Sequence, residues 1–145
     1  MSAIQILLVE DNEGDVFMIR EALENTSARH QLSVAKDGLE AIETLMHRLK
    51  TESSNLPDLI LLDINLPKRN GHEVLQFIKH SEDLRHLPVV ILTTSSSPED
   101  IFAAYHHYAN GYITKPSGGK DLSDVADQIE EYWVGLSQFP PKIQS

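Results

Sequence analysis

The feature that most constrains the fold is a run of four apolar residues, 59–62, closed by a single acid, Asp63. Four consecutive apolar side chains suit a strand buried on both faces of a parallel sheet. Several turn formers follow, namely Asn65, Pro67, Asn70 and Gly71. Open α/β sheets bind ligands at the carboxyl ends of their strands, which makes Asp63 a candidate nucleophile. Taken alone, the stretch is equally compatible with a helix cap or a solvated loop acid.

The rest of the chain alternates between strand and helix patterns. Strands are predicted at residues 4–9, 31–35, 58–63, 88–93 and 111–114, and helices at about 14–23, 39–49, 71–78, 98–105 and 122–136. This alternation predicts an α/β fold with a doubly wound sheet of five parallel strands. We expect one domain over residues 1–136 and an irregular tail over residues 137–145, which contains two adjacent prolines.

Composition narrows the possible functions. The 145 residues include no cysteine, which excludes disulfides and thiolate metal sites, and the net charge is −10. Nucleic-acid binding requires clustered basic residues, and Lys68-Arg69 is too small a cluster, so we expect no nucleic-acid partner. The apolar run at residues 6–9 is too short for a signal peptide or a membrane span, and we expect a cytoplasmic protein without a membrane partner.

Right-handed crossovers bring the strand carboxyl ends to one edge of the sheet. The residues expected there are Glu10-Asp11, Asp63, the Thr93-Thr94 pair and Lys115. Close carboxylates repel one another, and a divalent cation with oxygen ligands, Mg²⁺ above all, removes that repulsion. A carboxylate beside Mg²⁺ and an ammonium can accept a phosphoryl group, and a threonine hydroxyl can donate to one of its oxygens.

Four segments carry a resemblance to a known family. Residues 7–12, residues 59–67 with Asn70-Gly71 after them, residues 90–94 and residues 111–116 resemble the receiver domain of bacterial response regulators (CheY-like). The resemblance covers residues 4–136, with the motifs in the expected order and on the expected strands. It implies a flavodoxin-like sheet with strand order 2-1-3-4-5.

The resemblance also implies a role for each matching residue. Asp63 would be the phosphoacceptor, and Mg²⁺ would be held by Asp63, Glu10, Asp11 and the backbone carbonyl of Asn65. Lys115 would pair with the phosphoryl group.

Two further residues would form the switch that responds to phosphorylation. Thr93 would be the switch hydroxyl and Tyr112 the rotating aromatic ring, although Tyr112 could also be an ordinary core residue. The Lys115–Pro116 bond is expected to be cis, as is common in the family.

The function implied is that of a single-domain response regulator of a two-component phosphorelay. It would take a phosphoryl group from a sensor histidine kinase and signal by protein contact, since no output domain follows residue 136. It would not be an enzyme beyond self-phosphorylation and slow autodephosphorylation. The loop before Pro57, the acidic motif at residues 11–15 and the tail resemble the small regulators paired with cyanobacterial phytochrome kinases. A homodimer is expected through the fourth helix, fifth strand and fifth helix, with the apolar tail lying across a neighbour.

Three alternatives stay open at this point. A haloacid-dehalogenase-type phosphatase also uses a strand-end aspartate with Mg²⁺, but it needs an acid where this chain has Asn65. A flavin binder with the same sheet needs a phosphate-binding loop after the first strand, where this chain carries acids. The third is a receiver-shaped interaction module that is never phosphorylated. The seven histidines show no metal-ligand spacing and are expected to be solvated.

Overall fold

Two wholly buried strands form the centre of the protein, in a computed structural model that describes residues 3–24, 30–116 and 122–142. The five strands are β1 (Ile4–Val9), β2 (His30–Ala35), β3 (Leu59–Leu62), β4 (Val89–Thr93) and β5 (Gly111–Thr114). All neighbouring strands pair in parallel, in the order β2-β1-β3-β4-β5. The predicted fold class and strand order are confirmed.

Five α-helices connect and follow the strands. They are α1 (Glu13–Glu24), α2 (Gly38–Thr51), α3 (Gly71–His80), α4 (Pro98–His106) and α5 (Leu122–Ile129). Four of them follow a residue whose side chain accepts a hydrogen bond from a backbone N–H of the first turn; these residues are Asn12, Asp37, Asn70 and Ser97. Such caps satisfy backbone donors that have no partner within the helix, and they fix where α1, α2, α3 and α4 begin.

The sheet separates two apolar clusters. Alternate residues of a strand point to opposite faces, so Leu7 of β1 joins the cluster under α2, α3 and α4, whereas Leu8 joins the cluster under α1 and α5. The central strands therefore need apolar residues at every position, which explains the uninterrupted run at β3. None of the helices in the described part of the chain has the length and apolar character needed to cross a bilayer.

The last helix differs from its prediction. The sequence pattern predicts one continuous helix over residues 122–136, but α5 ends at Ile129 and a π-helical segment, Glu130–Leu136, follows. The wider turn changes which residues share a face. Trp133 is half-buried against the cluster under α1 and α5, and Tyr132 stays exposed beside it, their ring centroids 5.3 Å apart.

The tail folds back on its own chain. No helix or strand forms over residues 137–142, and Phe139 packs against the cluster under α1 and α5. Lys142 Nζ then donates to the carbonyl oxygens of Leu56, at 2.6 Å, and Ser54, at 3.1 Å. These carbonyls precede β3, so the tail crosses the amino end of the sheet. The tail therefore makes contacts within its own chain, and its contact with a neighbouring molecule stays a prediction.

Candidate functional site

Strand register brings the predicted site residues together. The last residues of β1 and β3 lie side by side, so Glu10 and Asp63 follow on neighbouring strands. Thr93 ends β4 opposite the last residue of β5, and the next residue, Lys115, donates its backbone N–H to the Thr93 carbonyl at 2.7 Å. The four residues therefore meet at the carboxyl edge of the sheet, as predicted. All four are buried, and polar residues that are buried usually have hydrogen-bond or ion-pair partners.

Asp63 is held by contacts to both of its carboxylate oxygens. Oδ1 accepts a hydrogen bond of 3.1 Å from the backbone N–H of Asn65, and Oδ2 accepts one of 3.3 Å from Lys115 Nζ. The residue is only 6% exposed. A carboxylate with fixed orientation and little competing water is suited to act as a nucleophile toward a group that enters from the edge of the sheet.

Three carboxylates at this edge can share a metal ion. Glu10, Asp11 and Asp63 each offer an oxygen, and these atoms lie within 4.8 Å of one another. Glu10 and Asp63 are buried, whereas Asp11 is exposed and faces solvent at the mouth of the group. An all-oxygen set with one open side fits a hard divalent cation such as Mg²⁺, which retains several of its waters.

Burial makes the cluster costly to ionise. It is the main cause that raises the pKa of Glu10 to about 7; a hydrogen bond from Lys115 opposes the rise, and the Asp63 charge adds to it. Burial by itself would lower the pKa of Lys115, but hydrogen bonds to Asp15 and Glu10 outweigh it and raise that pKa above its ordinary value. The lysine therefore carries its full charge among the carboxylates.

The loop after Asp63 is packed too tightly for any side chain at Gly71. A Cβ there would lie 2.3 Å from the Asp63 carbonyl oxygen, well inside van der Waals contact. The Gly71 N–H donates to the Ile64 carbonyl at 2.8 Å, and the cap of α3 at Asn70 is reinforced by Glu73, whose carboxylate accepts from the Asn70 backbone. The start of helix α3 is thereby hydrogen-bonded to Ile64 and packed against the backbone of Asp63.

A second loop, between β4 and α4, joins Thr93 to two neighbouring elements. The Ser95 N–H lies 3.5 Å from Thr93 Oγ1, and the Ser95 carbonyl accepts a hydrogen bond of 2.8 Å from the Tyr112 hydroxyl. Ser95 Oγ donates to Asp100 Oδ2 at 2.5 Å, and the other oxygen of Asp100 lies 3.1 Å from His72 Nε2. These bonds hold the pKa of Asp100 below its usual range, the Ser95 bond contributing most. The loop is thus connected to β5 on one side and to α3 on the other.

Three findings correct or extend the sequence-based expectations. The Lys115–Pro116 bond is trans, since the described residues contain no cis peptide bond; trans is the intrinsic preference of an X–Pro bond. His72 is not solvated but pairs with Asp100, because α3 and α4 start at the same edge. Asp15, which no motif singled out as a site residue, contacts Lys115 at 2.8 Å.

A five-stranded parallel sheet in this order, with acids, a threonine and a lysine at the strand ends, defines a receiver domain. The model of the "Response regulator receiver domain" family matches residues 6–127. The chain therefore belongs to the response regulator receiver domain family.

The relatives are close in both sequence and structure. Response regulator Rcp1 of Synechocystis sp. is 42% identical over 135 residues, which cover 93% of this chain and 92% of Rcp1. The probable methanogenesis regulatory protein FilR2 of Methanothrix harundinacea is also 42% identical, over 93% of this chain and 86% of its own.

Two solved structures superpose on nearly the whole chain. The Mn²⁺-bound form of Rcp1 has a TM-score of 0.88 at 41% identity and covers 95% of this chain and 99% of its own. The phosphorylated cyanobacterial phytochrome response regulator RcpA has a TM-score of 0.88 at 42% identity and covers 97% of this chain and all of its own. The predicted resemblance to phytochrome-type regulators is confirmed.

Proposed function

We propose that this response regulator accepts a phosphoryl group on Asp63 from the phosphohistidine of a sensor histidine kinase. One carboxylate oxygen of Asp63 attacks phosphorus, the P–N bond of phosphohistidine breaks, and the imidazole leaves with the bonding electrons. The observation that carries the proposal is the arrangement around Asp63. Its carboxylate is buried and oriented, lies beside two further acids and contacts the Lys115 ammonium.

The proposal assigns the metal site to Mg²⁺, held by Asp63, Glu10 and Asp11 together with the backbone carbonyl of Asn65. When bound, Mg²⁺ supplies positive charge that stabilises the oxygens of the transferred group. Lys115 supplies a second positive charge at the same oxygens. Rcp1, which is 42% identical, has been solved in a Mn²⁺-bound form, and this supports a divalent-cation site in the present chain.

The chain is proposed to be a phosphoacceptor with self-phosphorylation and slow autodephosphorylation and no other catalytic activity. A phosphatase of haloacid-dehalogenase type would need an acid or base two residues after the nucleophile to act on the leaving group. Asn65 occupies that position, and its backbone N–H is used to orient Asp63. No observation favours the phosphatase.

A histidine kinase of the phytochrome class is the proposed upstream partner. The support is that RcpA, described as a cyanobacterial phytochrome response regulator, is 42% identical and matches the fold closely. FilR2 has the same identity, so identity alone does not select the kinase. We place the protein in the cytoplasm, where soluble kinase domains donate their phosphoryl groups, and the net charge of −10 favours a protein partner over nucleic acid.

Output is proposed to pass through the face formed by α4, β5 and α5, by way of a homodimer. Helix α4 exposes Phe102 (69%) and Tyr105 (51%), and Tyr132 near the end of the chain is 54% exposed. Exposed aromatic residues are typical of protein interfaces, and two-fold dimers are the commonest soluble assembly. The switch residues Thr93 and Tyr112 lie on β4 and β5 beside this face.

Intact-mass measurement after treatment with acetyl phosphate tests the acceptor function. With Mg²⁺ present, the protein should gain the mass of one phosphoryl group. With EDTA in place of Mg²⁺ the gain should disappear. A protein that gains no mass under either condition would not be a phosphoacceptor, whereas an equal gain in EDTA would remove the metal from the proposal.

Sedimentation with and without beryllofluoride tests the dimer. The phosphoryl mimic should strengthen self-association, and Tyr105→Ala should weaken it by removing an aromatic anchor from the face. Phe17→Ala is the matched control, because Phe17 is also an exposed aromatic residue (65%) and lies on α1, away from this face. A monomer in both states at tens of micromolar, or equal effects of the two variants, would contradict the proposed dimer.

A further inference from the structure

The ammonium group of Lys115 has all of its donors in use. A lysine carries three N–H donors, and Lys115 Nζ contacts three carboxylates. It lies 2.8 Å from Asp15 Oδ2 and 3.3 Å from Asp63 Oδ2, and it donates to Glu10 Oε1 as well. The contact to Asp63 is the longest, and the contacts to Asp15 and Glu10 are short charge-assisted hydrogen bonds.

Asp15 differs from the other two partners in its position. Glu10 and Asp63 both belong to the three-acid cluster that can hold a cation, whereas Asp15 lies outside that cluster, in the first turn of α1. Its backbone N–H donates to Asn12 Oδ1 at 2.9 Å, which fixes the start of the helix. Asp15 is therefore the one partner that Lys115 can keep when Glu10 and Asp63 turn to a bound cation and to a phosphoryl group.

We propose that Asp15 is a positioning residue for phosphoryl transfer and acts through Lys115. It holds the Lys115 ammonium at the edge of the site against repulsion by a divalent cation. The Lys115 N–H that contacts Asp63 Oδ2 in the present structure can then donate to a phosphoryl oxygen instead. This inference rests on the proposed function of Asp63 as phosphoacceptor. If Asp15 instead competed with the phosphoryl group for Lys115, removal of its charge would strengthen beryllofluoride binding.

Asp15→Asn separates the two behaviours, because the amide keeps the shape of the side chain and removes its charge. If Asp15 anchors Lys115, Asp15→Asn should bind beryllofluoride about tenfold more weakly than the wild type at saturating Mg²⁺, and it should gain mass from acetyl phosphate correspondingly more slowly. Asp15→Glu, which restores the charge, should recover most of the affinity. Glu13→Gln is the matched control: it removes a charge from the same helical turn, but Glu13 pairs with Lys36 on the surface, and its effect should stay within about twofold.

The coupling to Lys115 is tested directly by a double variant. In a Lys115→Gln background, Asp15→Asn should have no further effect on beryllofluoride binding, since the two residues act as one unit. Unchanged or tighter binding by Asp15→Asn alone would overturn the proposal. An equal loss in Glu13→Gln would also overturn it, because the effect would then come from net charge alone. A full additional loss in the double variant would overturn it as well.

A measurement on the wild type tests the contact between Asp15 and Lys115 without any change at Asp15. The side-chain ammonium of Lys115 should give a slowly exchanging ¹⁵N-correlated NMR signal at Mg²⁺ saturation, identified by its absence in Lys115→Arg. Loss of that signal on Mg²⁺ binding would show that the anchor does not hold and would overturn the inference. If wild-type protein gains no mass from acetyl phosphate, the proposed function fails instead, independently of Asp15.

Discussion

The hydroxyl of Tyr112 donates a hydrogen bond of 2.8 Å to the backbone carbonyl of Ser95, two residues after Thr93. The ring of Tyr112 is partly buried against the cluster under α2, α3 and α4, so a β5 side chain is attached to the loop that starts α4. Burial is the main cause that raises the pKa of Tyr112, and the phenol therefore stays protonated and able to donate. This bond joins β5 to the loop between Thr93 and α4, next to the face through which output is proposed to pass.

Removal of that hydroxyl should weaken the path while leaving the acceptor intact. We expect Tyr112→Phe to lower the free energy of unfolding by about 1 kcal/mol, the usual contribution of one hydrogen bond. Beryllofluoride should still bind, but the amide NMR shifts it causes at Ile101 and Phe102 should become smaller. Tyr108→Phe, which alters an exposed tyrosine, is the control. Full shifts in Tyr112→Phe would show that another route reaches α4.

The geometry behind Asp63 depends on a glycine. Gly71→Ala would force a methyl group to within 2.3 Å of the Asp63 carbonyl oxygen, so the loop must move. We expect a loss of several kcal/mol in unfolding free energy, at the upper end for single substitutions, and slower phosphorylation. Gly135→Ala is the control, because its Cβ would meet nothing closer than 3.9 Å. Equal melting temperatures for the two variants would contradict the packing argument.

Mutual repulsion among the acids should be visible in metal-free protein. Asp11→Ala removes the exposed member of the cluster, and thermal unfolding in EDTA should occur at a higher temperature than in the wild type. Because Asp11 is exposed and screened, the gain should not exceed about 1 kcal/mol. Mg²⁺ affinity, measured by calorimetry, should fall by about 100-fold or more. Such a loss is larger than the usual effect of removing a residue that only contacts a metal ligand. Wild-type affinity in the variant would remove Asp11 from the ligand set.

The lifetime of the phosphorylated state should reflect the residues at the mouth of the site. Asn65 follows Asp63 closely, and Ser95, on the β4–α4 loop, has its hydroxyl bonded to Asp100. Neither side chain is a strong base or a bulky shield, so we expect a half-life of minutes to hours, measured as loss of the added mass. Asn65→Leu should lengthen it by excluding water. A half-life of seconds or days in the wild type would show that other residues control water access.

The sheet and the convergence of acids, threonine and lysine were predictable because they depend on local patterns. Buried parallel strands need apolar runs, and right-handed crossovers bring the strand ends to one edge. The contact between Asp15 and Lys115 depends instead on where the first turn of α1 lies relative to the residue that follows β5, and the two residues are 100 positions apart in the sequence. The pairing of His72 with Asp100 likewise depends on the packing of α3 against α4. The π-helical segment and the contacts of Lys142 leave no periodic signal in the sequence.

The most direct test of the central claim compares two substitutions on one strand. Asp63→Asn and Asp58→Asn make the same chemical change at opposite ends of β3, and Asp58 contacts Gln5 and Lys142, far from the acids. After treatment with acetyl phosphate and Mg²⁺, intact-mass spectrometry should show one added phosphoryl group on the wild type and on Asp58→Asn. It should show none on Asp63→Asn, which should remain folded. A full mass gain on Asp63→Asn would place the acceptor elsewhere and contradict the account.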